Sequence, residues 1–109
     1  MPEVRYYIDA RGVAPFARWF ADLDATSRAK VARAIARLQQ ANFSNVKSVG
    51  GGVLEYRIDF GPGYRVYFGR DGEALVILLA GGTKKRQQRD IEAAQRDWRD
   101  YKQSKRVQH

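Results

Sequence analysis

Hydrophobic and polar residues alternate along residues 55–68, on either side of a Gly-Pro-Gly turn at residues 61–63. A period of two is typical of β-strands, so this segment predicts a hairpin with one buried face. The residues predicted to be buried are Tyr56, Ile58, Phe60, Tyr64, Val66 and Phe68. The residues predicted to lie on the opposite, accessible face are Glu55, Arg57, Asp59, Arg65 and Tyr67. A face with two arginines and a tyrosine is suited to holding an anion.

Other segments of the chain have the periods of further helices and strands. Apolar residues at helical spacing predict three helices, and short apolar or alternating runs predict two more strands. In chain order, the predicted elements outside the hairpin are a strand at Val4–Asp9, a helix from about Ala14 to Leu23, a helix that follows cap candidates at 24–27, a strand at Ala74–Ala80 that ends at Gly81 and Gly82, and a helix from about Lys84 to Lys102.

The order of these elements, β-α-α-β-β-β-α, predicts an α+β fold. The three later strands are joined by short turns, so we expect a small, mostly antiparallel sheet. The two early helices should form a hairpin packed on that sheet, and a C-terminal helix should follow it. Residues 1–102 predict a single domain, and the polar residues 103–109 predict a flexible basic tail.

The composition excludes several kinds of chemistry. None of the 109 residues is a cysteine, which excludes disulfides, thiol nucleophiles and thiolate zinc sites. The one histidine is the terminal residue, His109, which disfavours a histidine base or metal site. We therefore expect no metal and no other cofactor. No apolar segment suits a signal peptide or a membrane span, so we expect a cytoplasmic protein without a membrane partner.

A net charge of +8 and a pI of about 10.1 predict an anionic partner, with nucleic acid favoured. Cations cluster where the last helix is predicted to start: Lys84, Lys85, Arg86 and Arg89. That end of a helix is positive, so cations there are unfavourable unless an anion binds. With Thr83 as the cap, the segment predicts a phosphate site. The alternative is a solvated basic patch.

Arg57 and Arg65 have two interpretations. If the hairpin turn has three residues, Arg65 lies opposite Asp59 and Arg57 opposite Tyr67, forming an ion pair and an arginine–tyrosine stack. Alternatively, both arginines converge with the basic helix start on one concave site, because the last strand delivers that helix beside the hairpin. Another basic stripe, on the second helix, is interpreted as a solvated face that could follow a nucleic-acid backbone: Lys30, Arg33 and Arg37.

Two runs of the sequence resemble those of RelE/ParE superfamily toxins, and most closely the HigB-like addiction module killer proteins. The first run is Leu54–Phe68, LEYRIDFGPGYRVYF, and the second comprises Gly81–Lys84 with Gln87–Ile91. The resemblance covers nearly the whole chain, and the first run is its specific part. It implies a small sheet packed on a helical hairpin, similar to microbial ribonucleases.

The resemblance also implies roles for individual residues. Arg65 matches an arginine that stabilises charge on the scissile phosphate in RelE-like enzymes, and Arg57 and Lys84 match nearby basic positions. The tyrosine that RelE-like enzymes carry after this basic segment is missing, as are the histidines of the HigB type. The expected catalytic residues are Arg65, Arg57, Lys84 and Asp90, and the expected substrate-binding residues are Lys85, Arg86, Gln87, Tyr67 and Arg89.

For a RelE-like toxin, the implied activity is cleavage of mRNA in the ribosomal A site. The RNA 2′-hydroxyl would attack the adjacent phosphate, with arginines and lysines in place of a metal. A base must accept the 2′ proton, and the candidates are Asp59, Glu55, Asp90 or a lysine. Two other functions remain open: ParE-like inhibition of DNA gyrase, and binding of nucleic acid without catalysis.

The resemblance implies an antitoxin as the cognate partner, encoded beside the toxin. In this branch the antitoxin is typically a helix-turn-helix, HigA-like protein, and the complex represses its own operon. The expected partners are therefore the antitoxin, mRNA and the ribosome, and operator DNA through the complex. Because an exposed basic groove must be masked, we expect the antitoxin to present Asp and Glu side chains.

Overall fold

The computed structural model describes residues 1–107, with side chains through Lys105. The α+β class predicted from the sequence is confirmed within that range. In chain order the elements are β1 (Glu3–Tyr6), α1 (Pro15–Ala21), α2 (Ala25–Gln39), β2 (Val46–Ser48), β3 (Leu54–Ile58), β4 (Tyr64–Asp71), β5 (Leu75–Thr83), a 3-10 turn (Lys84–Arg86) and α3 (Gln87–Val107).

The strands form one sheet in the order β1-β5-β4-β3-β2. β1 runs parallel to β5, and the other neighbours are antiparallel, so the predicted antiparallel meander is confirmed. The strand β2 was not predicted. Its three residues are too few to show a period of two, and it pairs only with Leu54–Tyr56 of β3.

The helical hairpin of α1 and α2 covers one face of the sheet with an apolar core. The alternation of the β3–β4 hairpin points its hydrophobic side chains to this face, as predicted. The N-cap of α2 was also among the predicted candidates: the Asp24 carboxylate accepts a hydrogen bond from the Ser27 amide. The buried residues of this core are Phe16, Val31, Ala34, Leu38, Tyr56, Ile58, Val66, Phe68, Val76 and Leu78.

The helix α3 covers the opposite face of the sheet, which the sequence predicted to be accessible. It packs against β4 and β5 over a second, smaller core. The helix continues to Val107, so residues 103–107, predicted to belong to a loose tail, are helical. Residues 108–109 lie outside the described range. No helix in that range is both long and apolar enough to cross a membrane.

The strand β5 continues through Gly81 and Gly82, so the prediction that these glycines end it was wrong. A Cβ atom on Gly81 would overlap the Trp19 indole of α1, and one on Gly82 would overlap the Asp90 carboxylate of α3. The two glycines therefore allow a helix to approach closely on each face of the sheet, rather than allowing a turn.

A register shift between Tyr67 and Phe68 of β4 changes the phase of β5. Tyr67 pairs with Ala80 and Phe68 with Leu78, and Leu79 and Ala80 both pack in the α3 core. Such an irregularity reverses the side that each later residue faces. Because of this shift, alternate residues at the end of β5 face the site beneath α3.

Candidate functional site

Arg57, Arg65 and Gly82 lie directly opposite one another on β3, β4 and β5. The expected pairing of Arg65 with Asp59 and of Arg57 with Tyr67 was wrong. The turn from Asp59 to Gly63 has five residues rather than three, which changes the register of the hairpin. Two like charges are therefore neighbours on one face, an arrangement that needs an anion nearby.

The two arginines differ in exposure. The side chain of Arg57 is 53% exposed, whereas that of Arg65 is 4% exposed. The Arg65 guanidinium donates through Nη1 to the Gly63 carbonyl at 2.6 Å. The expectation that this face presents both arginines and Tyr67 to solvent was wrong, because Arg65 and Tyr67 are buried there. Of these three side chains, Arg57 is the accessible one.

A fully buried carboxylate, Glu55, lies among these cations. Its Oε2 accepts a hydrogen bond of 2.8 Å from Nε2 of Gln87, at the start of α3. Its ion-pair partners are Arg65 at 3.8 Å, Arg57 at 3.9 Å and Lys47 at 3.9 Å. These separations exceed hydrogen-bond length, so the attraction is coulombic. Glu55 therefore offsets the repulsion between the two arginines.

Several buried polar atoms around Glu55 have no hydrogen-bond partner among the described residues. An unpaired buried polar group costs about 1–3 kcal/mol, so each such group in a folded protein calls for an explanation. We name Glu55, Arg65, Tyr67, Gln87 and Asp90 the polar cluster; it retains hydrogen-bonding capacity at the N-terminal end of α3. The unpaired atoms are Glu55 Oε1, Arg65 Nε, Tyr67 Oη and Asp90 Oδ2.

Asp90 lies in the first turn of α3, directly over Gly82. Burial raises the pKa of this carboxyl, and the nearby charges of Arg86 and Arg89 oppose the shift. A side chain at residue 82 would displace the carboxyl, so the glycine and the carboxyl form one close contact between strand and helix.

Tyr67 is the phenol of the polar cluster. Burial and then the negative charge of Glu55 raise its pKa. The hydroxyl therefore stays protonated at neutral pH and can donate a hydrogen bond.

The basic segment Lys84–Arg86 forms a 3-10 turn, and α3 begins only at Gln87. The prediction of a helix starting at Lys84 and capped by Thr83 was wrong, since Thr83 makes no side-chain capping hydrogen bond. The first turn of α3 instead contains Asp90, the sign of charge that a helix N-terminus prefers. The 3-10 turn places Lys84–Arg86 before the helix. It thus reduces the unfavourable interaction between these cations and the helix dipole, on which the phosphate prediction rested.

Lys84 nevertheless lies close to Arg65, at the turn between β3 and β4. Its amide donates to the Pro62 carbonyl at 3.4 Å. A Cβ atom on Gly63 would lie 3.3 Å from Cβ of Lys84 and 2.8 Å from Nη1 of Arg65. Gly63 therefore lies between the Arg65 guanidinium and the base of the Lys84 side chain, at one corner of the sheet.

The structure brings some of the predicted site residues together and leaves others at the surface. Sequence reasoning considered Glu55 only as a base and did not see its central position, although its alternation with Arg57 was an available signal. Lys47 was missed because β2 gave no signal. Within the polar cluster or beside it lie Arg57, Arg65, Tyr67, Lys84, Gln87 and Asp90; exposed outside it lie Lys85, Arg86 and Arg89.

Comparison with known proteins shows the family. Residues 18–99 match the family described as phage derived protein Gp49-like (DUF891), which spans the whole polar cluster. An uncharacterized protein of Haemophilus influenzae is 46% identical over 80 residues, which cover 72% of this chain and 81% of the relative. The chain belongs to the Gp49-like family, an addiction-module toxin-like family.

Proposed function

We propose that this chain is the toxin of a type II toxin–antitoxin module, in the HigB-like branch of the RelE/ParE superfamily, and that it cleaves mRNA on the ribosome. Membership of an addiction-module toxin-like family supports the first part. One observation carries the second part: a buried arginine, held by a backbone carbonyl, lies beside two accessible cations. These are Arg65 with Arg57 and Lys84.

The proposed reaction is attack of an RNA 2′-hydroxyl on the adjacent phosphodiester. As a base takes the 2′ proton, the O–P bond to the 2′ oxygen forms and the bond to the 5′ oxygen breaks. The 5′ oxygen takes up a proton from solvent water, which leaves a cyclic phosphate and a 5′-hydroxyl. Negative charge develops on the phosphate, and fixed cations stabilise it best because they need not reorganise. Arg65 is fixed by Gly63, and the accessible Arg57 and Lys84 would reach the phosphate from solvent.

The choice of the base depends on which carboxylate the RNA can reach. A base must lie within hydrogen-bond reach of the 2′ proton. Asp59 is exposed and lines the same groove as Arg57, whereas Glu55 is fully buried and Asp90 faces Gly82. We therefore favour Asp59 as the base and give Glu55 the role of positioning the arginines.

A second candidate function, ParE-like inhibition of DNA gyrase, is favoured by the burial of Arg65. A guanidinium that is only 4% exposed and lies near a carboxylate can serve as a structural group. In that case the basic surface would bind a protein, and no RNA would be cut.

The proposed partners follow from the same class. An antitoxin is the partner that the family implies. We propose that it is a helix-turn-helix, HigA-like protein encoded beside the toxin, that the complex binds operator DNA, and that the free toxin acts on mRNA and the ribosome in the cytoplasm.

The test compares growth and mRNA integrity after induction of the wild-type chain and matched variants. Arg57→Ala removes an accessible cation. Arg65→Lys keeps the buried charge but loses the planar guanidinium, whose paired N–H groups can bind two phosphate oxygens at once. The control is Arg99→Ala, an exposed arginine about 18 Å further along α3 than Gln87. We expect both site variants to slow cleavage by about 100-fold, while the control stays active.

Primer extension on mRNA from the induced cells decides between the candidates. Discrete cuts inside translated frames, weakened in both site variants, support the ribonuclease. Intact mRNA together with broken DNA would instead favour the gyrase inhibitor. A folded wild-type chain that leaves growth unchanged would contradict the toxin assignment itself.

A further inference from the structure

A groove runs between the outer edge of β3 and α2, the helix on the face of the sheet opposite the polar cluster. The basic stripe of α2 forms one wall, and the end of β3 with the turn after it forms the other. We call it the α2–β3 groove. Its polar and aromatic lining residues are Lys30, Arg33, Arg37, Arg57, Asp59 and Phe60.

The edge of the sheet is open along this groove. The strand β2 pairs with Leu54–Tyr56 only. If that register continued, Asn45 would lie opposite Arg57, but β2 begins at Val46 and the chain turns away before it. Open strand edges accept extended peptides through backbone hydrogen bonds. Arg57 and Ile58, the last two residues of β3, therefore offer an edge that β2 does not cover. The chain turns after them, where the Phe60 amide donates to the Ile58 carbonyl at 2.9 Å.

The charge of the groove is strongly positive, with four cations against the carboxylate of Asp59. The ion pairs found among the described residues include none of the three α2 cations. Two of them are held over the groove rather than extended into solvent. Arg37 donates to the Tyr56 hydroxyl at 3.0 Å, and Lys30 Nζ lies 5.0 Å from the Phe60 ring centre.

We propose that the α2–β3 groove binds an extended acidic segment of the antitoxin, which continues the line of β2 along Arg57 and Ile58, the uncovered end of β3. Its backbone would pair with the open edge, and its carboxylates would meet Lys30, Arg33 and Arg37. The inference rests on the toxin–antitoxin part of the proposed function and not on the ribonuclease part.

The position of Arg57 gives this binding a consequence for activity. Arg57 lines the α2–β3 groove and also the neighbouring groove that contains Lys47 and Glu55. A carboxylate bound beside Arg57 would neutralise the accessible arginine of the polar site. Occupation of the groove would thus inhibit the toxin without any contact with the buried Arg65.

The lining favours a peptide over nucleic acid as the occupant. Besides the cations, the groove is lined by Ala34 and Ile58, which suit the apolar side chains of a strand. A phosphate backbone gains mainly from the cations. Its oxygens can accept from N–H groups, but it lacks the alternating donors and acceptors with which a peptide pairs with a strand edge. Binding of RNA in the groove is therefore the competing outcome of the test.

The experiment reverses two charges on α2 and measures binding to the product of the adjacent gene. Lys30→Glu/Arg33→Glu is the test variant, and Arg96→Glu/Arg99→Glu on the exposed side of α3 is the control. Both pairs have the same spacing and the same change in net charge. We expect the test pair to weaken binding by about 100-fold and the control pair to change it little. Binding to the wild type should slow amide exchange at the uncovered end of β3, Arg57 and Ile58.

A 2′-O-methyl RNA 12-mer serves as the second probe, because it cannot be cleaved. Antitoxin binding that is equal in both variants, or absent in the wild type, overturns the proposal. So does an RNA affinity that falls only in the test pair while antitoxin binding persists. Circular dichroism verifies that both variants are folded. The binding result stands even if no mRNA cleavage is found, so failure of the ribonuclease proposal is seen separately.

Discussion

The two faces of the sheet are covered by different kinds of side chain: mainly apolar ones on one face, and apolar ones together with buried polar groups on the other. Towards α1 and α2, buried hydrophobic side chains form a continuous core that includes the fully buried Phe16 and Phe68. Towards α3, a smaller apolar core around Trp98 gives way near Gln87 to the polar cluster, in which a carboxylate and a guanidinium are both buried.

This contrast separates stability from function. Apolar burial stabilises a fold with few geometric demands. Buried charges and unpaired polar atoms stabilise it poorly, and hydrophobic replacements of similar volume are often as stable or more so. The apolar face therefore accounts for most of the folding free energy, whereas the polar cluster is the part of the molecule that calls for a functional explanation. Substitutions on the two faces of the sheet test this division.

The largest effect is expected from Phe68→Ala, in the centre of the apolar face. The ring is fully buried, so its removal leaves a cavity and should lower the free energy of unfolding by about 3–5 kcal/mol. Urea denaturation followed by circular dichroism measures the change. Exposed Arg99→Ala is the control, with an expected change within about 0.5 kcal/mol. A Phe68→Ala effect below that of ordinary surface changes would refute the assignment of the main core.

The adjacent glycines of β5 test the two faces at neighbouring positions. Gly81→Ala meets the rigid Trp19 indole and should destabilise the protein by about 1–3 kcal/mol. Gly82→Ala meets the Asp90 carboxylate, so Asp90→Ala in the same chain should restore most of the lost stability. Thermal unfolding of the two single variants and the Gly82→Ala/Asp90→Ala double variant checks both statements. Additive effects at Gly82 and Asp90 would show that these residues do not touch.

The smallest effect concerns pH. Burial raises the pKa of Asp90 above its ordinary value of 3.8, so the folded state keeps a proton that the unfolded state releases. Between the two pKa values stability falls as pH rises, and it stays lower above them. Asp90→Asn cannot titrate, so its stability relative to wild type should increase from about pH 4 upward.

Asp24 is the control, because its pKa is shifted in the opposite direction to that of Asp90. Its hydrogen bonds from Ser27 lower its pKa, so its contribution is present at neutral pH and is lost as pH falls. Asn also caps helices well, so Asp24→Asn should keep the helix but lose this pH dependence. Unfolding free energies between pH 3 and 7 measure both slopes. Slopes of the same sign in the two variants would contradict the burial of Asp90.

Much of the fold followed from local patterns. The alternation of residues 55–68 predicted the buried side of the hairpin, and Asp24 was among the cap candidates of α2. The candidate site was predicted less completely. The structure places Arg57 beside Arg65 and Gln87 against Glu55. The burial of Arg65 was missed because no local period shows that a distant helix covers a strand.

Spacing along the chain was enough to predict four of the five strands and the three α-helices, because each depends on residues within a few positions of one another. Composition was enough to predict the positive charge. The five-residue turn that sets Arg57 beside Arg65 is local, and only the structure showed its length. Two other features came only from tertiary packing: the bulge that directs Gly82 towards α3, and the place of Glu55 between three cations. Each depends on contacts between residues far apart in the chain. The energies of these contacts depend on how the strands and helices pack against one another, which local sequence patterns do not indicate.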